Sequence, residues 1–425
     1  MRYTSKVVYL LVLSVALLSG CGLNNDHGEL VGVPNRPIWQ HPQPFGTVYI
    51  PTGTFHFGQS DQEVGSGFVH RNKQVSIQAF YMDDTEITNN EYRQFVYYVM
   101  DSILREKVGG EYLVNEGEED QRLNMRKKFD EEDETVNEAL EDMYYKASER
   151  FMKRKQIDVR RLIYKYEWED LQAASRMTNR GYNNNRSDVI RKESRQIYPD
   201  TLVFIRDFAY SYNEPMTQMY FWHPNYDDYP VVGVNWHQAN AFSHWRTRHL
   251  NQYVVDNGDL ERTDFRLPTE HEWEYAARGG RDETMYPWGG PYIRNTKGCY
   301  LANFKPGRGN YIDDGGFYPV KASSYFPNDY GLYCMAGNVS EWTSSSYTES
   351  VNAVVDDMNP DFKYLAKDDE PETLKRKVIR GGSWKDIGYY IQNGSRLYEY
   401  QDTCKSFVGF RCVQSYMGRS NKDKP

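Results

Sequence analysis

Phe265-Arg266-Leu267-Pro268-Thr269-Glu270-His271-Glu272-Trp273-Glu274-Tyr275-Ala276-Ala277-Arg278-Gly279-Gly280 is the most informative segment of this chain. Its chemistry is that of a short capped helix. Pro268 cannot continue a strand ladder and suits a helix entry. Thr269 and Glu272 stand three apart, the spacing at which a hydroxyl and a carboxylate each satisfy an orphan amide at a helix N-terminus. Trp273, Ala276 and Ala277 share one face. Arg278 falls in the last turn, where a cation favours the negative helix end, and Gly279 supplies a left-handed stop. Alone, the stretch specifies a well-made core helix and no chemistry.

Its surroundings are more specific. Before it comes Val231-Val232-Gly233-Val234-Asn235-Trp236-His237-Gln238-Ala239. After it come Tyr286-Pro287-Trp288-Gly289, Asn328-Asp329-Tyr330-Gly331-Leu332-Tyr333, Gly337-Asn338-Val339-Ser340-Glu341-Trp342-Thr343, Arg380-Gly381-Gly382-Ser383-Trp384 and Gly409-Phe410-Arg411-Cys412. In this order they resemble the formylglycine-generating-enzyme family, also called sulfatase-modifying factors. The resemblance runs from about Gly46 to Val413, apart from one long insertion. It implies an α+β fold: a formylglycine-generating-enzyme-like (C-type-lectin-like) irregular domain.

The bulk properties agree with such a fold. The chain has 425 residues, 39% of them hydrophobic and 15% aromatic, enough for a sizeable core. Single domains above roughly 200 residues exist. The 36 tyrosines and 9 tryptophans suit a loop-rich structure in which amphipathic rings pack against backbone. A formal net charge of −9 provides no phosphate-neutralising excess and argues against nucleic acid as a partner.

At the N-terminus, Arg2 and Lys6 precede an apolar run, Val7 to Leu18, too short to span a bilayer. Residues 1–20 therefore read as a lipoprotein signal peptide. Leu18-Ser19-Gly20-Cys21 resembles a bacterial lipobox with Cys21 as the lipidated first residue; an ordinary signal peptide with a chance cysteine is the plainer alternative. Gly22, rather than an aspartate, favours retention at the outer membrane by resemblance to bacterial sorting rules. The expected location is the periplasmic face of the outer membrane, held by lipid chains. Residues 21–45 read as a lipidated polar tether and 414–425 as a polar tail.

Residues 46–100 and 230–413 are expected to form the domain. Val48-Tyr49-Ile50, a Pro51-Thr52-Gly53 turn and Thr54-Phe55-His56-Phe57 read as a strand pair, and Val75 to Met82 as another strand. Thr88 and Glu91 make a second capping box, followed by the helical stripe Tyr92, Phe95, Val96, Val99 and Ile103. Val231 to Val234 reads as a buried strand, and Asn235 as the cap of a helix whose Ala239, Phe242 and Ser243 face inward.

Residues 101–229 do not fit the family core and read as a helical insertion. The apolar stripe Val136, Leu140, Met143, Ala147 and Phe151 predicts an amphipathic helix over about Glu134 to Lys155, with a second helix from Asp158 to Arg176. Either the pair packs on a core of its own, or the five stripe residues form a partner-binding surface.

Asn303, Asp313, Asp314, Gly315 and Gly316 lie in an oxygen-rich loop region, and hard cations such as calcium take carboxylate and amide oxygens. Family members bind calcium through such a loop and through the Gly-Asn-Val segment. The resemblance therefore assigns candidate calcium ligands at Asn303, Asp314, Asn338 and Glu341; tight turns capped by Asx side chains are the alternative. The family's oxidase members place two cysteines between the Arg-Gly-Gly-Ser and Gly-Phe-Arg motifs and hold copper with them. This chain has only Cys404 in that interval, so no copper and no thiol redox cycle are expected. Nor do His70, His237, His244, His249 and His271 show the clustered spacing that a non-haem iron branch would need. His271-Glu272-Trp273-Glu274-Tyr275 has Tyr275 where a zinc-protease helix needs histidine. Ser340 stands where the family usually has tryptophan, and Cys334 where it often has Asp or Asn. The fold-forming glycines and aromatics are present while the groups for chemistry are missing. Trp273, Asn338, Trp342, Arg380, Trp384 and Arg411 are accordingly expected to hold the fold, with no catalytic residue.

Cys299, Cys334, Cys404 and Cys412 allow three disulfide pairings, with buried free thiols an equal alternative. The lipobox, Gly28-Glu29-Leu30-Val31-Gly32-Val33, the Glu86-Ile87-Thr88-Asn89-Asn90-Glu91-Tyr92 run and the charged insertion resemble the GldK/PorK family of gliding-motility lipoproteins. That resemblance implies a non-enzymatic, homo-oligomeric ring subunit of the type IX secretion system, attached to the outer membrane through lipid and partnered by a GldN/PorN-type periplasmic protein. A GldJ-like lipoprotein is a close variant. A calcium-dependent periplasmic or surface binding module and a residual protein-modifying oxidase are the alternatives from other classes.

Overall fold

The two four-stranded sheets of this protein are built differently: one pairs no two strands that are consecutive in the chain, and the other pairs three consecutive strands and adds a fourth from further on. The computed structural model describes residues 40–59, 72–118, 121–130, 132–176, 186–209 and 214–418. The strands are β1 (Thr47–Ile50), β2 (Gly53–Phe57), β3 (Lys73–Ile77), β4 (Phe80–Asp83), β5 (Leu113–Val114), β6 (Arg122–Leu123), β7 (Ile163–Glu169), β8 (Ile190–Gln196), β9 (Phe265–Arg266), β10 (Ser340–Ser346), β11 (Arg376–Arg380), β12 (Leu397–Tyr400), β13 (Val408–Gly409) and β14 (Val413–Ser415). One sheet runs β1-β4-β14-β9 and the other β12-β11-β10-β13; β2-β3, β5-β6 and β7-β8 are separate pairs. The mixed helix and strand content and these sheets agree with the expected α+β class.

Local signals located the starts of these helices. Helix α1 (Asn89–Val108) opens on a capping box between Thr88 and Glu91. Helix α2 spans Glu134–Met143. Helix α3 (Trp236–Asp256) opens on Asn235 with Gln238, and α4 (Glu270–Ala277) on Thr269 with Glu272. Gly279 has φ 61°, the left-handed stop read from sequence. A Thr269→Ala change would leave an N-terminal amide of α4 without its acceptor, typically a loss of about 1 kcal/mol.

Strand partners differ from the sequence expectation. β1 and β2 do not form a hairpin: β1 pairs with β4 (Val48 opposite Met82) and β2 with β3 (Phe55 opposite Val75). The stretch 75–82 breaks at Gln78-Ala79 into two strands in different sheets. Val231 to Val234 is buried as expected but joins no ladder. Its Val231 amide donates to Ile87 O at 2.8 Å and its Gly233 amide to Lys405 O at 3.0 Å. Gly233 has φ 76°, and a Cβ there would meet Asp200 O at 2.3 Å, so only glycine fits.

The insertion is the largest correction. Helix α2 ends at Met143, not Lys155, and no helix covers Asp158 to Arg176. That segment instead contributes β7, followed by a short helix at Leu171–Ser175. Ile163-Tyr164-Lys165-Tyr166-Glu167-Trp168-Glu169 alternates with period two, burying Tyr164 and Tyr166 while Lys165 and Glu167 face out. The β7-β8 hairpin then closes the main core. Leu162, Tyr164, Tyr166 and Ile197 join Tyr92, Phe95, Phe242, Trp245 and Phe410 in one apolar cluster. Phe95 meets Tyr164 edge-on at 5.3 Å and Tyr92 stacks on Phe242 at 5.6 Å. Tyr92 also donates its hydroxyl to Ile197 O at 2.8 Å. The insertion therefore completes the domain core and is not a helical pair on a core of its own. The described residues from His41 onward belong to one compact unit, and the buried His41 at its start bonds Gln414 at 3.1 Å. Cys21 and the expected signal peptide lie outside the described residues. Among the described residues, no helix is long and apolar enough to cross a membrane.

Candidate functional site

The motif residues meet in two buried ionic networks. Helix α4 presents Glu270, Glu274 and Arg278 at intervals of four, on one stripe. β11 ends on Arg380, and the loop before β12 delivers Arg396. Glu274 accepts from Arg278 Nη2 at 2.6 Å and from the Gly58 amide at 2.9 Å, and pairs through its other oxygen with Arg380. Glu270 is forked by Arg396, with Nη2 to Oε2 at 2.9 Å, and lies 3.5 Å from Arg380 Nη1. Arg380 also donates to the carbonyls of Ser395 at 2.8 Å and Asn393 at 2.9 Å. Burial alone would raise the Glu270 carboxyl, but Arg396 and Arg380 bring it down to about 2. His271 is packed on the Phe57 ring at 4.0 Å, and burial lowers it to about 4, so it is neutral at physiological pH.

The second network joins α4 to the other motifs. Glu341 accepts from Trp273 Nε1 at 2.7 Å, Arg411 Nε at 2.7 Å and Arg411 Nη2 at 2.6 Å. Arg411 also donates to the carbonyls of Tyr333 at 2.9 Å and Asp83 at 3.2 Å. Glu86 lies beside this pair, held by Asn338 Nδ2 at 2.7 Å; burial, with Glu341 adding to it, pushes its carboxyl well above the usual range. The remaining expected fold-holders are buried and bonded as well: Trp342 Nε1 reaches Val234 O at 3.1 Å and Trp384 Nε1 reaches Ser406 O at 3.4 Å. These charges face one another and backbone carbonyls, not a cleft. They cross-link segments far apart in sequence.

The four candidate calcium ligands divide between two places. Asn303 Nδ2 donates to Tyr318 O at 3.0 Å and Asn338 Oδ1 at 3.3 Å, which fixes its orientation. Its Oδ1 is buried without a hydrogen-bond partner. Asp314 is nearby in the same loop, taking the Phe304 amide at 2.6 Å and the Gly316 amide at 3.0 Å. Asn338 Oδ1 additionally takes the Val320 amide at 2.9 Å. Glu341 does not join them: both its oxygens are engaged by Arg411, and a cation beside that guanidinium would be repelled. Among the described residues, no group of three or more His, Cys, Asp or Glu could hold a metal ion.

The cysteines are four separate thiols: Cys299 exposed, Cys334 and Cys412 buried, Cys404 between. No disulfide links them. Burial pushes the Cys404 thiol up to about 12, so almost no thiolate forms at neutral pH. The expected partner stripe also divides. Val136 and Met143 are buried, and Leu140 packs on the main core, so none of the three is free to dock. Ala147 and Phe151 are exposed on the loop beyond α2.

Sequence reading missed Glu86, Glu270, Glu274 and Arg396, and gave Arg278 only its place in the last turn of α4. A signal existed in that helix. Two like charges at Glu270 and Glu274, one turn apart in a helix that also carries Trp273, Ala276 and Ala277, call for arginines; Arg278 is one. Glu86 and Arg396 have no such local mark.

A family model described as "Sulfatase-modifying factor enzyme 1-like domain" matches residues 38–416. The chain is 34% identical over 203 residues to the inactive Cα-formylglycine-generating enzyme 2 of Mus musculus, covering 46% of this chain and 51% of that protein. It is 26% identical over 382 residues to the formylglycine-generating enzyme of Bos taurus, covering 88% of this chain and 76% of that protein. In the first match the chain spans about half of the relative's length. The solved structure of PvdO from Pseudomonas aeruginosa aligns with a TM-score of 0.47 at 16% identity, over 87% of this chain and 94% of that one.

Proposed function

The chain belongs to the sulfatase-modifying factor enzyme 1-like domain family, and from that premise we propose that it uses the fold without the oxidase chemistry, as a structural subunit. The observation that carries this reading is Cys404. It is the single cysteine between the Arg380 and Gly409 motifs, it is unpaired, and its thiol is held protonated by burial. A copper-thiolate centre needs two soft ligands in the thiolate form. The inactive relative in mouse is a precedent for a non-catalytic member. Cys404→Ser is expected to leave cellular function unchanged in a secretion or motility assay; loss of function with the fold intact would favour the residual oxidase.

The finer assignment rests on the sequence resemblance. The protein acts as an outer-membrane-anchored ring subunit of a type IX secretion and gliding-motility machinery, lipidated at Cys21 and bound to a GldN/PorN-type periplasmic protein. The test is gentle detergent extraction of the tagged native protein, followed by mass spectrometry and single-particle imaging. A large ring holding a second periplasmic protein, with cross-links from residues 101–229, supports the reading. A small, partner-free species overturns it.

A calcium ion is a second, compatible proposal, favoured by the orphaned Asn303 Oδ1 beside Asp314. These two residues would hold it, and it would brace the loop and supply no redox chemistry. Calcium at about 100 times its Kd would stabilise the fold by roughly 2.7 kcal/mol. The expected result is a rise in Tm with calcium that chelator reverses and Asn303→Ala removes; an unchanged Tm refutes it.

A further inference from the structure

Residues 144–157 form a closed loop on the insertion. A bridge between Tyr144 and Ile157 joins its ends. Beside it the Tyr145 amide donates to Gln156 O and the Asp158 amide to Met143 O, both at 2.9 Å. Arg150 pins the base, with Nε on Tyr145 O at 2.8 Å and Nη2 on Glu141 at 2.5 Å. Met143 and Ile157 are packed on the main core.

The tip has the opposite character. Phe151 is 66% exposed and Met152 is 70% exposed. Met152 and Lys153 have φ of 50° and 60°, a left-handed conformation uncommon for such residues. The Arg154 amide holds this turn by donating to Phe151 O at 3.0 Å. In sequence, Lys146, Arg150, Lys153, Arg154 and Lys155 flank the two apolar residues, with Glu149 the only carboxylate from 146 to 155. Arg150 and Lys155 are paired with Glu141, and Glu149 is paired with Arg160. Among the described residues, Lys146, Lys153 and Arg154 have no ion-pair partner. On a chain of net charge −9 this is a cationic point with an apolar tip.

We propose that this loop seats on an anionic lipid bilayer, with Phe151 and Met152 in the interface and Lys146, Lys153 and Arg154 at headgroup level. A stable protein interface needs about 800 Å² per partner around a buried centre, whereas the tip offers two exposed apolar side chains flanked in sequence by cations. A bilayer accepts a small apolar tip, and lysine and arginine stems reach the phosphates above it. The inference rests on the membrane-anchored half of the function proposed above, because an anchor holds the loop at high effective lipid concentration.

The test places an environment-sensitive fluorophore on Met152→Cys in a Cys299→Ser background of the full chain. Vesicles of phosphatidylglycerol should shift its emission to the blue, vesicles of phosphatidylcholine should not, and high salt should reverse the shift. Removing a cation near an anionic surface weakens binding about fivefold, so Lys146→Glu, Lys153→Glu and Arg154→Glu together should weaken it by at least on the order of 100-fold. A Cys21→Ser chain separates the two readings. If the anchor is wrong, that chain and its parent bind alike and the label still shifts. If the tip is wrong, the lipidated parent sediments with vesicles while its label stays in water; cross-links from the tip would then identify a protein instead.

Discussion

Arg411→Met is expected to lower stability by about 3–5 kcal/mol, seen as a large drop in the urea midpoint. The guanidinium is buried and binds both oxygens of Glu341. Removing it leaves the Glu341 carboxylate buried with only the Trp273 indole, next to the Glu86 carboxyl. The Tyr333 and Asp83 carbonyls also lose a donor. Glu341→Gln should cost a similar amount, because it strands the cation instead. The double variant should lose much less than the sum of the two, since residues in one network do not act additively. A loss below about 1 kcal/mol for either single change would mean that the pair does not hold these segments together.

Lys377→Met is expected to do the reverse. The Lys377 amine is buried, 3.1 Å from Ser346 Oγ and 2.6 Å from Tyr364 O, with the Trp236 ring 4.2 Å away. Burial, with Lys363 adding to it, lowers its pKa from 10.5 to about 7. Its folded pKa is therefore below its unfolded one, and between pH 7 and 10.5 the unfolded chain binds more protons. Stability should rise with pH across that window by up to about 1.4 kcal/mol per unit. Below about pH 7 the cost of burying the ammonium is fully present. Methionine removes the charge, so the variant should gain on the order of 1–3 kcal/mol at neutral pH, offset in part by the two acceptors left behind. The decisive measurement is the difference in unfolding free energy between variant and parent from pH 7 to 10. Parallel curves would show that Lys377 does not titrate in this way.

The networks also explain why the chemistry of the site was hard to read in advance. Arg380 and Arg411 stand in motifs, and both are buried and paired across the fold. Their partners could not be named, since Glu274 and Arg380 are 106 positions apart and Glu341 and Arg411 are 70 apart. Glu341 shows the consequence. As a carboxylate in a Gly-Asn-Val segment it resembles a calcium ligand, yet its oxygens are engaged by the guanidinium of Arg411, two residues after Gly409, which pairs opposite Glu341 where β13 meets β10. The insertion failed for a different reason. The stripe Val136, Leu140, Met143, Ala147, Phe151 keeps helical spacing past the point where the helix ends, while the alternation in Ile163 to Glu169 signalled the strand that forms.

What the sequence determined by itself was everything encoded by neighbours: the capping boxes at Thr88, Asn235 and Thr269, the left-handed stop at Gly279, and the ordered motifs that mark the family. The caps and the stop depend on contacts three or four residues apart, which the chain cannot avoid making, and the motifs are legible as residue types in order. Only the tertiary structure decided which strands share a sheet, that the β7-β8 hairpin closes the main core, and which buried charges meet. Strand pairing and ion pairing over long separations are chosen by the global packing of the core, because burying an unpaired charge or an unpaired strand edge costs more than any local preference can offset.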